Sequence, residues 1–467
     1  MNISKPKPFN SEKKPELMNI IDEAVTQGAE YADLRHDIKR VYTLIRENKR
    51  TTSNEVQINA GFCLRVLVDG TWGAGMVTSE EDIPVLLSDV VKSARAQKRK
   101  TKVKIKEAPS ETIKSEKKAK KRFVDEDATD FLITLEKTAY DQSDRISSMS
   151  LSLTAYERWI SIQTSEQRSV ETRMDRIRLR AGVACKEGNN IESRIKAWGG
   201  IGGMEYIHDN EDSITQGTAL LAKEADLLVD ADHSPSGTVD CVLSNTLTGT
   251  LMHEAFGHAV EADLVVSNES LLAGRIGEKV AAECVNMEDD PTQPIVGHYL
   301  YDQEGVKAQR TVIVEKGILK SFLHSRETAA RLDAPLTGHC KAEFYSNTPI
   351  VRQGNTMLLP QDYWLSELLE VKDGLFLGDS AGGQVNVGEG TFTFGTQYTR
   401  EIKNGELGRY LKGCSLSGNV LETMMKVDAV GKEVIAAPGG CGKGQMDLQG
   451  RLMPNIRVRE VMIGGRG

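Results

Sequence analysis

The stretch His253-Glu254-Ala255-Phe256-Gly257-His258 decides the local fold at the centre of this chain, and Ala259-Val260-Glu261-Ala262-Asp263 follows it directly. Two histidines and an adjacent glutamate within a predicted helix are the components of a zinc hydrolase site. In such sites the imidazoles bind the metal, and the carboxylate accepts a proton from water. The stretch therefore indicates a metal centre built on a helix.

The spacing of the two histidines predicts that this helix is not regular. In the motif HExxH the histidines are four residues apart and share one helical face. Here they are five apart, which places them about 140° from each other on an ideal helix. Both reach one metal only if the helix widens into a π-turn or breaks, and Gly257 has no Cβ to oppose this. Spacing alone leaves two unrelated histidines as the alternative.

Length and composition favour a soluble cytoplasmic protein of two or three domains. The chain has 467 residues, a net charge of -8 and seven scattered cysteines. This charge argues against general affinity for nucleic acid. An odd number of scattered cysteines fits a reducing compartment better than a disulfide framework. No stretch approaches the roughly twenty apolar residues of a membrane span, so we expect no membrane partner.

The first 230 residues predict an α+β domain built from two similar halves. Amphipathic patterns predict helices over residues 14–28, 81–97, 127–142 and 213–229. Strand patterns lie between the members of each pair, so the order helix, strands, helix occurs twice. Between the halves, residues 98–122 are rich in lysine and poor in apolar side chains. We interpret this segment as a solvated basic linker or loop, with contact to an acidic partner or nucleic acid as the alternative.

Residues 231–467 predict a second, strand-rich domain that carries the metal-site helix. The turn-rich segment 230–237 separates the two domains. A cap at Ser244, Asn245 or Thr246 is expected to begin the helix. Lys316-Gly317 and the segment 403–406 each separate two strand patterns, which indicates hairpins. We expect a twisted antiparallel sheet, barrel-like in form.

A catalytic zinc site needs a third protein ligand besides the two histidines. Cys441 stands among four glycines in residues 438–444, where it has little to pack against and where Lys443 would favour its thiolate. Glu261, three residues after His258, is better placed to orient a histidine than to bind the metal. The candidates for the third ligand are Glu261, Asp263, Glu278, His339, Cys340 and Cys441.

These motifs together resemble the TldD/PmbA family of zinc-dependent peptidases. HEAFGHAVEAD over residues 253–263 is similar to the HExxxH motif of the TldD branch, which is the catalytic one. GGCGKGQ over residues 439–445 resembles the late signature that supplies the third zinc ligand, which implies that role for Cys441. Further matches lie at residues 274–281, 302–305, 349–356 and 382–385.

The resemblance implies a peptidase in which His253, His258 and Cys441 hold Zn²⁺ and Glu254 is the general base. Glu261 or Asp263 would then fix a histidine or bind a substrate amine, and Arg352 is a candidate for a substrate carboxylate. An extended, unfolded peptide would bind by adding a strand to an exposed edge. The family also implies a dimer, either of this chain alone or with a TldE/PmbA-like relative.

Two other functions fit the same residues. In the first alternative, the zinc is structural and the protein is a noncatalytic module that binds peptides or assists assembly. In the second, Cys441 is the nucleophile of a cysteine hydrolase and a histidine is its base.

Overall fold

Two β-sheets organise the molecule, and the site lies where they approach each other. The computed structural model describes residues 14–97 and 101–465. The class is α+β, as the sequence predicts. No helix in the described residues is long and apolar enough to cross a membrane.

The first sheet has seven strands, and helices cover one of its faces. Its elements in chain order are α1 (Lys14–Thr26), β1 (Tyr31–Glu47), β2 (Arg50–Val68), β3 (Thr71–Val77), α2 (Ile83–Ala96), β4 (Thr112–Lys117), α3 (Asp125–Tyr140), β5 (Ile146–Thr164), β6 (Arg168–Glu187), β7 (Asn190–Ile201), α4 (Met204–Asp209) and α5 (Glu211–Val229).

The two predicted halves are visible in this order of elements. Helix α1, strands β1 to β3 and helix α2 form the first half, and α3, β5 to β7 and α5 form the second. The halves join into one sheet because β1 pairs antiparallel with β5. Alternation explains why helices cover only one face. On β6, Ile177 and Leu179 are fully buried in the core under α3 and α5, whereas Arg178 between them points to the opposite face.

The interpretation of residues 98–122 as a linker or loop is wrong for part of the segment. Residues 112–117 form β4, which pairs parallel with β6. Val103 and Ala108 are buried, and the backbone N–H of Lys106 donates to the carbonyl of Arg326. The pattern misled because an edge strand that carries charged side chains has the composition of a loop. Residues 98–100 lie outside the described residues.

The second sheet has thirteen strands and lies in the C-terminal half. The elements of this half are β8 (Gly237–Leu243), α6 (Asn245–Thr250), a π-helix (Leu251–Gly257), α7 (Ala262–Val266), β9 (Met287–Asp289), β10 (Thr311–Glu315), β11 (Ile318–Leu319), α8 (Arg326–Arg331), β12 (Cys340–Lys341), β13 (Ile350–Val351), β14 (Asn355–Leu358), α9 (Leu365–Leu368), β15 (Asp373–Leu377), β16 (Ser380–Asn386), β17 (Thr391–Thr396), β18 (Tyr398–Lys403), β19 (Glu406–Lys412), β20 (Cys414–Asn419), α10 (Val420–Met425), β21 (Val427–Gly442) and β22 (Met446–Gly465).

This sheet is mainly antiparallel, and β22 is its central strand. Strand β22 pairs with β8, β14, β20 and β21, and only β14–β22 and β8–β15 are parallel pairs. The main strand order runs from β11 to β19, and β16, β17, β20 and β21 pair outside this path. Both predicted hairpins form. Their turn residues Lys316-Gly317 and Asn404-Gly405 have the positive φ angles that tight two-residue turns require.

Candidate metal centre

The helix that carries the two histidines is a π-helix, as their spacing predicts. Ser244 caps the preceding α6 by accepting from the N–H of Leu247 at 3.3 Å. The backbone then widens over Leu251–Gly257, and the N–H of His258 donates to the carbonyl of His253, five residues earlier. Because that hydrogen bond brings residues five apart onto one side of the helix, both imidazoles face the same space. Their ring centroids lie 5.2 Å apart.

Gly257 is required at this turn for steric reasons. Its backbone is helical, with φ -62, so the turn does not need the left-handed conformations open to glycine. A Cβ at this position would overlap the side-chain amide of Gln353. That amide donates from Nε2 to the carbonyl of His253 at 3.2 Å. Gln353 therefore packs directly against the widened turn and supports it.

Four side chains converge beside the π-helix. His253, Glu254, His258 and Cys441 each offer one ligand atom, and these atoms lie within 4.8 Å of one another. Cys441 comes from the far end of β21, and its Sγ lies 3.0 Å from Nε2 of His258. The structure thus brings together the two histidines, the glutamate and the cysteine that the sequence singled out.

The donor atoms fit a zinc ion. Nε2 of His253 is buried and has no hydrogen-bond partner within residues 14–97 and 101–465, as expected of a nitrogen that binds a metal. Two imidazole nitrogens and one thiolate sulfur form a typical zinc ligand set. Nitrogen and sulfur on a tetrahedral zinc lie roughly 3.5 Å apart, and the observed 3.0 Å is close to that separation.

The surroundings of the two histidines shift their pKa values in opposite directions. Burial keeps the pKa of His253 well below its ordinary value, so this imidazole is neutral. Burial also opposes a charge on His258, but the carboxylate of Glu261 and the contacts with Cys441 and Glu254 together outweigh it and raise the pKa of His258 well above its ordinary value. Nδ1 of His258 lies 2.8 Å from Oε2 of Glu261. This contact fixes the ring and directs Nε2 towards Cys441.

Glu261 lies at the centre of a buried charge network. It is fully buried, yet His258 and Lys443 together hold its pKa at about 2, so it is ionised. Nζ of Lys443 lies 2.9 Å from Glu261 and 2.8 Å from Asp263. Lys443 is thus engaged with two carboxylates instead of serving the Cys441 thiolate as the sequence suggested. Asp263 holds Lys443 and contacts no histidine.

Glu254 is held by an arginine that the sequence analysis did not identify. Nη2 of Arg451 on β22 lies 3.2 Å from Oε1 of Glu254, and Oε2 lies 3.5 Å from Nε2 of His258. Burial alone would raise the pKa of Glu254, but its contacts with His258 and Arg451 lower it. No motif in the sequence marks Arg451, because its role arises only when β22 packs against α6 and the start of the π-helix.

Arg352 lies beneath the segment that carries Cys441. Its guanidinium donates to the carbonyl of Cys441 at 2.8 Å and to the carbonyl of Gln445 at 2.6 Å. The side chain is 1% exposed. This geometry favours a part in holding the cysteine in place over contact with a substrate carboxylate.

The other candidate ligands lie outside the four-residue cluster. Nε2 of His339 pairs with Asp289 at 3.0 Å, and Asp289 connects through the hydroxyl of Thr356 to Nδ1 of His253. Cys340 is buried, and its N–H donates to Asp302. Glu278 is exposed and lies near Arg275. Asp289 and Thr356 are thus supports of His253 that sequence reasoning missed.

The comparisons with known proteins agree with this geometry. Residues 236–465 match the model of the PmbA/TldA metallopeptidase C-terminal domain. A metalloprotease of Methanothermobacter thermautotrophicus is 34% identical over 96% of this chain and 97% of its own. A zinc metalloprotease TldD homologue of Saccharolobus solfataricus is 28% identical over 96% of this chain and 100% of its own.

The fold agrees as well. The crystal structure of TldE from Thermococcus kodakarensis superposes with a TM-score of 0.79 and 17% identity, over 96% of this chain and 100% of that chain. The sequence identity covers nearly the whole length, so together with the family match it shows that the similarity is not limited to short motifs. This chain belongs to the TldD/PmbA family of metallopeptidases.

Proposed function

We propose that this protein is a zinc-dependent peptidase whose metal is held by His253, His258 and Cys441. The observation that carries the proposal is the convergence of these three side chains with Glu254 beside a π-helix. Zinc names among the relatives support the choice of metal. When bound, zinc polarises the scissile carbonyl and lowers the pKa of water towards neutrality.

Glu254 acts as the general base in this proposal. Arg451 holds Oε1, and this leaves Oε2 on the side of His258 and the ligand cluster. Oε2 takes the proton of the attacking water and delivers it to the leaving amine nitrogen. Its lowered pKa supports this role, because the base must be ionised before it accepts a proton.

The substrate is an extended, unfolded peptide. Strand β21, which carries Cys441, pairs with β22 and also makes a bridge from Gly431 to Tyr363. Strand β16 pairs with β17, so in the described residues β16 and the Cys441 end of β21 each have a free edge. Both strands lie close to the helix of the metal centre. A peptide that adds a strand to such an edge must have a free backbone, which folded proteins lack.

The variant Glu254→Gln tests the catalytic role. We expect hydrolysis of an unstructured peptide to fall by about 10²- to 10⁴-fold, since proton transfer is lost while the site keeps its shape. Zinc content and thermal midpoint should match those of the wild type. Glu278→Gln, an exposed glutamate outside the cluster, is the control. Full activity in Glu254→Gln would exclude Glu254 as the general base, and a zinc-loaded wild type that hydrolyses no peptide would support the noncatalytic module with a structural zinc.

The short contact between Cys441 and His258 favours a second candidate, a cysteine hydrolase. Sγ of Cys441, the imidazole of His258 and the carboxylate of Glu261 form a chain of hydrogen-bonding groups, with distances of 3.0 and 2.8 Å. A nucleophile, base and orienting acid have this order. Alkylation of Cys441 with and without zinc separates the two functions. Protection of the thiol by zinc, with activity only in the zinc form, supports the metallopeptidase.

We also propose a cytoplasmic dimer. The seven cysteines, all within the described residues, form no disulfide, as in a reducing compartment. Val56 and Ile58 on β2 are exposed apolar side chains that a second subunit would cover. The partner is a second copy or a TldE/PmbA-like relative. Light scattering on the purified chain tests this, because a monomer that gains mass only with the relative identifies the heterodimer.

A further inference from the structure

Strand β6 presents arginines to the C-terminal half. Side chains two residues apart on a strand point to the same face, so Arg176 and Arg178 share the face opposite the buried Ile177. Nη2 of Arg176 donates to the carbonyl of His298 at 2.7 Å. This contact shows that the arginine face lies against the second half of the chain.

Arg178 reaches the strand that carries Cys441. A Cβ built on Gly440 would lie 3.7 Å from Nη1 of Arg178. A Cβ built on the neighbouring Gly439 would lie 3.1 Å from Nε of Arg451. Two guanidinium groups, one from each sheet, thus flank the two glycines directly before the cysteine.

The positive charge of Arg178 is not compensated. Arg451 contacts Glu254, but Arg178 has no ion pair with a carboxylate in residues 14–97 and 101–465. The Nε atoms of Arg178 and Arg451 are both buried without a hydrogen-bond partner. A half-buried guanidinium with free donors beside a second cation is unfavourable unless an anion joins them.

We propose that Arg178, together with Arg451, binds a carboxylate group of the peptide substrate beside the metal centre. The inference rests on the proposed function, since it names the substrate class of the same site. A guanidinium binds a carboxylate through two parallel hydrogen bonds, and the free edge of β21 would guide a peptide past both arginines. The carboxylate is either the C-terminus of the peptide or the side chain of an aspartate or glutamate.

Peptide binding without turnover tests this assignment. The zinc-loaded Glu254→Gln protein is titrated with N-terminally labelled pentapeptides, and the dissociation constant is read from fluorescence anisotropy. The peptides are a free acid and its C-terminal amide, and two amides that contain one Glu or one Gln. Each is measured again after Arg178→Met. The control is Arg180→Met, which removes the same charge from an exposed position of the same strand.

We expect Arg178→Met to weaken binding of the carboxylate-bearing peptides by about 10- to 100-fold, as for a lost hydrogen-bonded charge pair. Binding of the neutral amides should stay unchanged, and Arg180→Met should affect none of the peptides. Loss with the free acid assigns the C-terminus, and loss with the Glu peptide assigns a side chain. Arg178→Lys keeps the charge but not the forked geometry, so it should restore binding only in part.

Two results would overturn the proposal. One is equal affinity within both pairs of peptides, free acid against amide and Glu against Gln, for the protein that has Arg178. The other is equal weakening of all four peptides by Arg178→Met while zinc content is unchanged. Hydrolysis by the wild type distinguishes failure of the carboxylate site from failure of the proposed peptidase function. Cleavage of acids and amides at equal kcat/KM leaves the peptidase standing without this site, whereas carboxylate-dependent binding without any cleavage leaves the site standing without the peptidase.

Discussion

At the residue scale, Glu261 fixes the orientation of His258, the proposed metal ligand. Its carboxylate accepts from Nδ1 of His258 and pairs with Lys443, and it is fully buried. We predict that Glu261→Gln lowers zinc affinity by about 10- to 100-fold, as loss of a ligand-orienting carboxylate does. Competition with a zinc chelator measures the change. Unchanged affinity in Glu261→Gln, beside an unchanged Glu278→Gln control, would remove Glu261 from the metal site.

His324 predicts a pH dependence of stability away from the metal centre. Burial, with smaller contributions from His339 and Lys106, lowers its pKa to about 4. The unfolded chain takes up this proton near pH 6.5, whereas the folded chain resists it until about pH 4. The stability contributed by neutral His324 is therefore fully present above pH 6.5. It is lost as pH falls through that window, by up to about 3 kcal/mol.

The variant His324→Asn checks this prediction. Urea midpoints at pH 7 and pH 4.5 should differ less in the variant than in the wild type, whatever the loss at pH 7. His233→Asn is the control, because His233 is exposed. Identical pH dependence in His324→Asn and the wild type would show that protonation of His324 does not cause the change of stability with pH.

The sequence could predict the site residues that lie close together in the chain. His253, Glu254, His258 and Glu261 fall within nine positions, and helical geometry relates them. Arg451 was not predictable, because it reaches Glu254 only through the packing of β22 against α6 and the start of the π-helix. Spacing in the sequence reveals residues that helical geometry relates, whereas contacts between distant segments appear only in the folded structure.

At the element scale, the π-helix is the feature on which the centre depends. We predict that Gly257→Ala destabilises the protein by about 1–3 kcal/mol, because the new Cβ overlaps Gln353 and strains a packed region. The displaced turn should also lower zinc content. Gly182→Ala is the control, since a Cβ there meets its nearest neighbour at 3.6 Å.

Truncation of Gln353 tests whether steric strain causes the effects of Gly257→Ala. The double variant Gly257→Ala with Gln353→Ala removes the overlapping atoms, so it should recover part of the zinc content lost in Gly257→Ala. Thermal melting and zinc analysis measure both effects. A stable Gly257→Ala protein with full zinc content would show that the turn does not need a glycine.

Elements were predictable where the signal is local. Asn404-Gly405 and Lys316-Gly317 adopt the positive φ angles of tight turns, and both hairpins form. Strand β4 was missed because its lysines and glutamate suit a solvated edge, and its parallel pairing with β6 joins residues far apart in sequence. Charge patterns indicate which side chains are exposed to solvent, but they do not show which strand a segment pairs with.

At the scale of the whole molecule, buried ion pairs join the two halves. Arg65 contacts both Asp33 of its own sheet and Glu304 of the C-terminal half. Arg326 reaches back to Glu166 at 2.5 Å. Charges this deeply buried need their partners, so each half stabilises the other. The predicted division near residue 230 therefore separates two units that share an extensive polar interface.

This interface gives the first half a part in the function. It brings β6 and β7 against the hairpin of β21 and β22, which carries Cys441 and Arg451. The family motifs lie in the second half, and none of them points to a functional residue on β6. The position of Arg178 beside Gly440 exists only in the packed molecule, so the sequence alone does not mark this arginine.

The zinc content of the purified protein beside that of Cys441→Ala tests the central claim most directly. The control is Cys340→Ala, a buried cysteine outside the cluster. We predict one zinc per chain in the wild type and in Cys340→Ala, and loss of most of it in Cys441→Ala. Full zinc retention in Cys441→Ala would contradict the assignment of His253, His258 and Cys441 as the metal ligands.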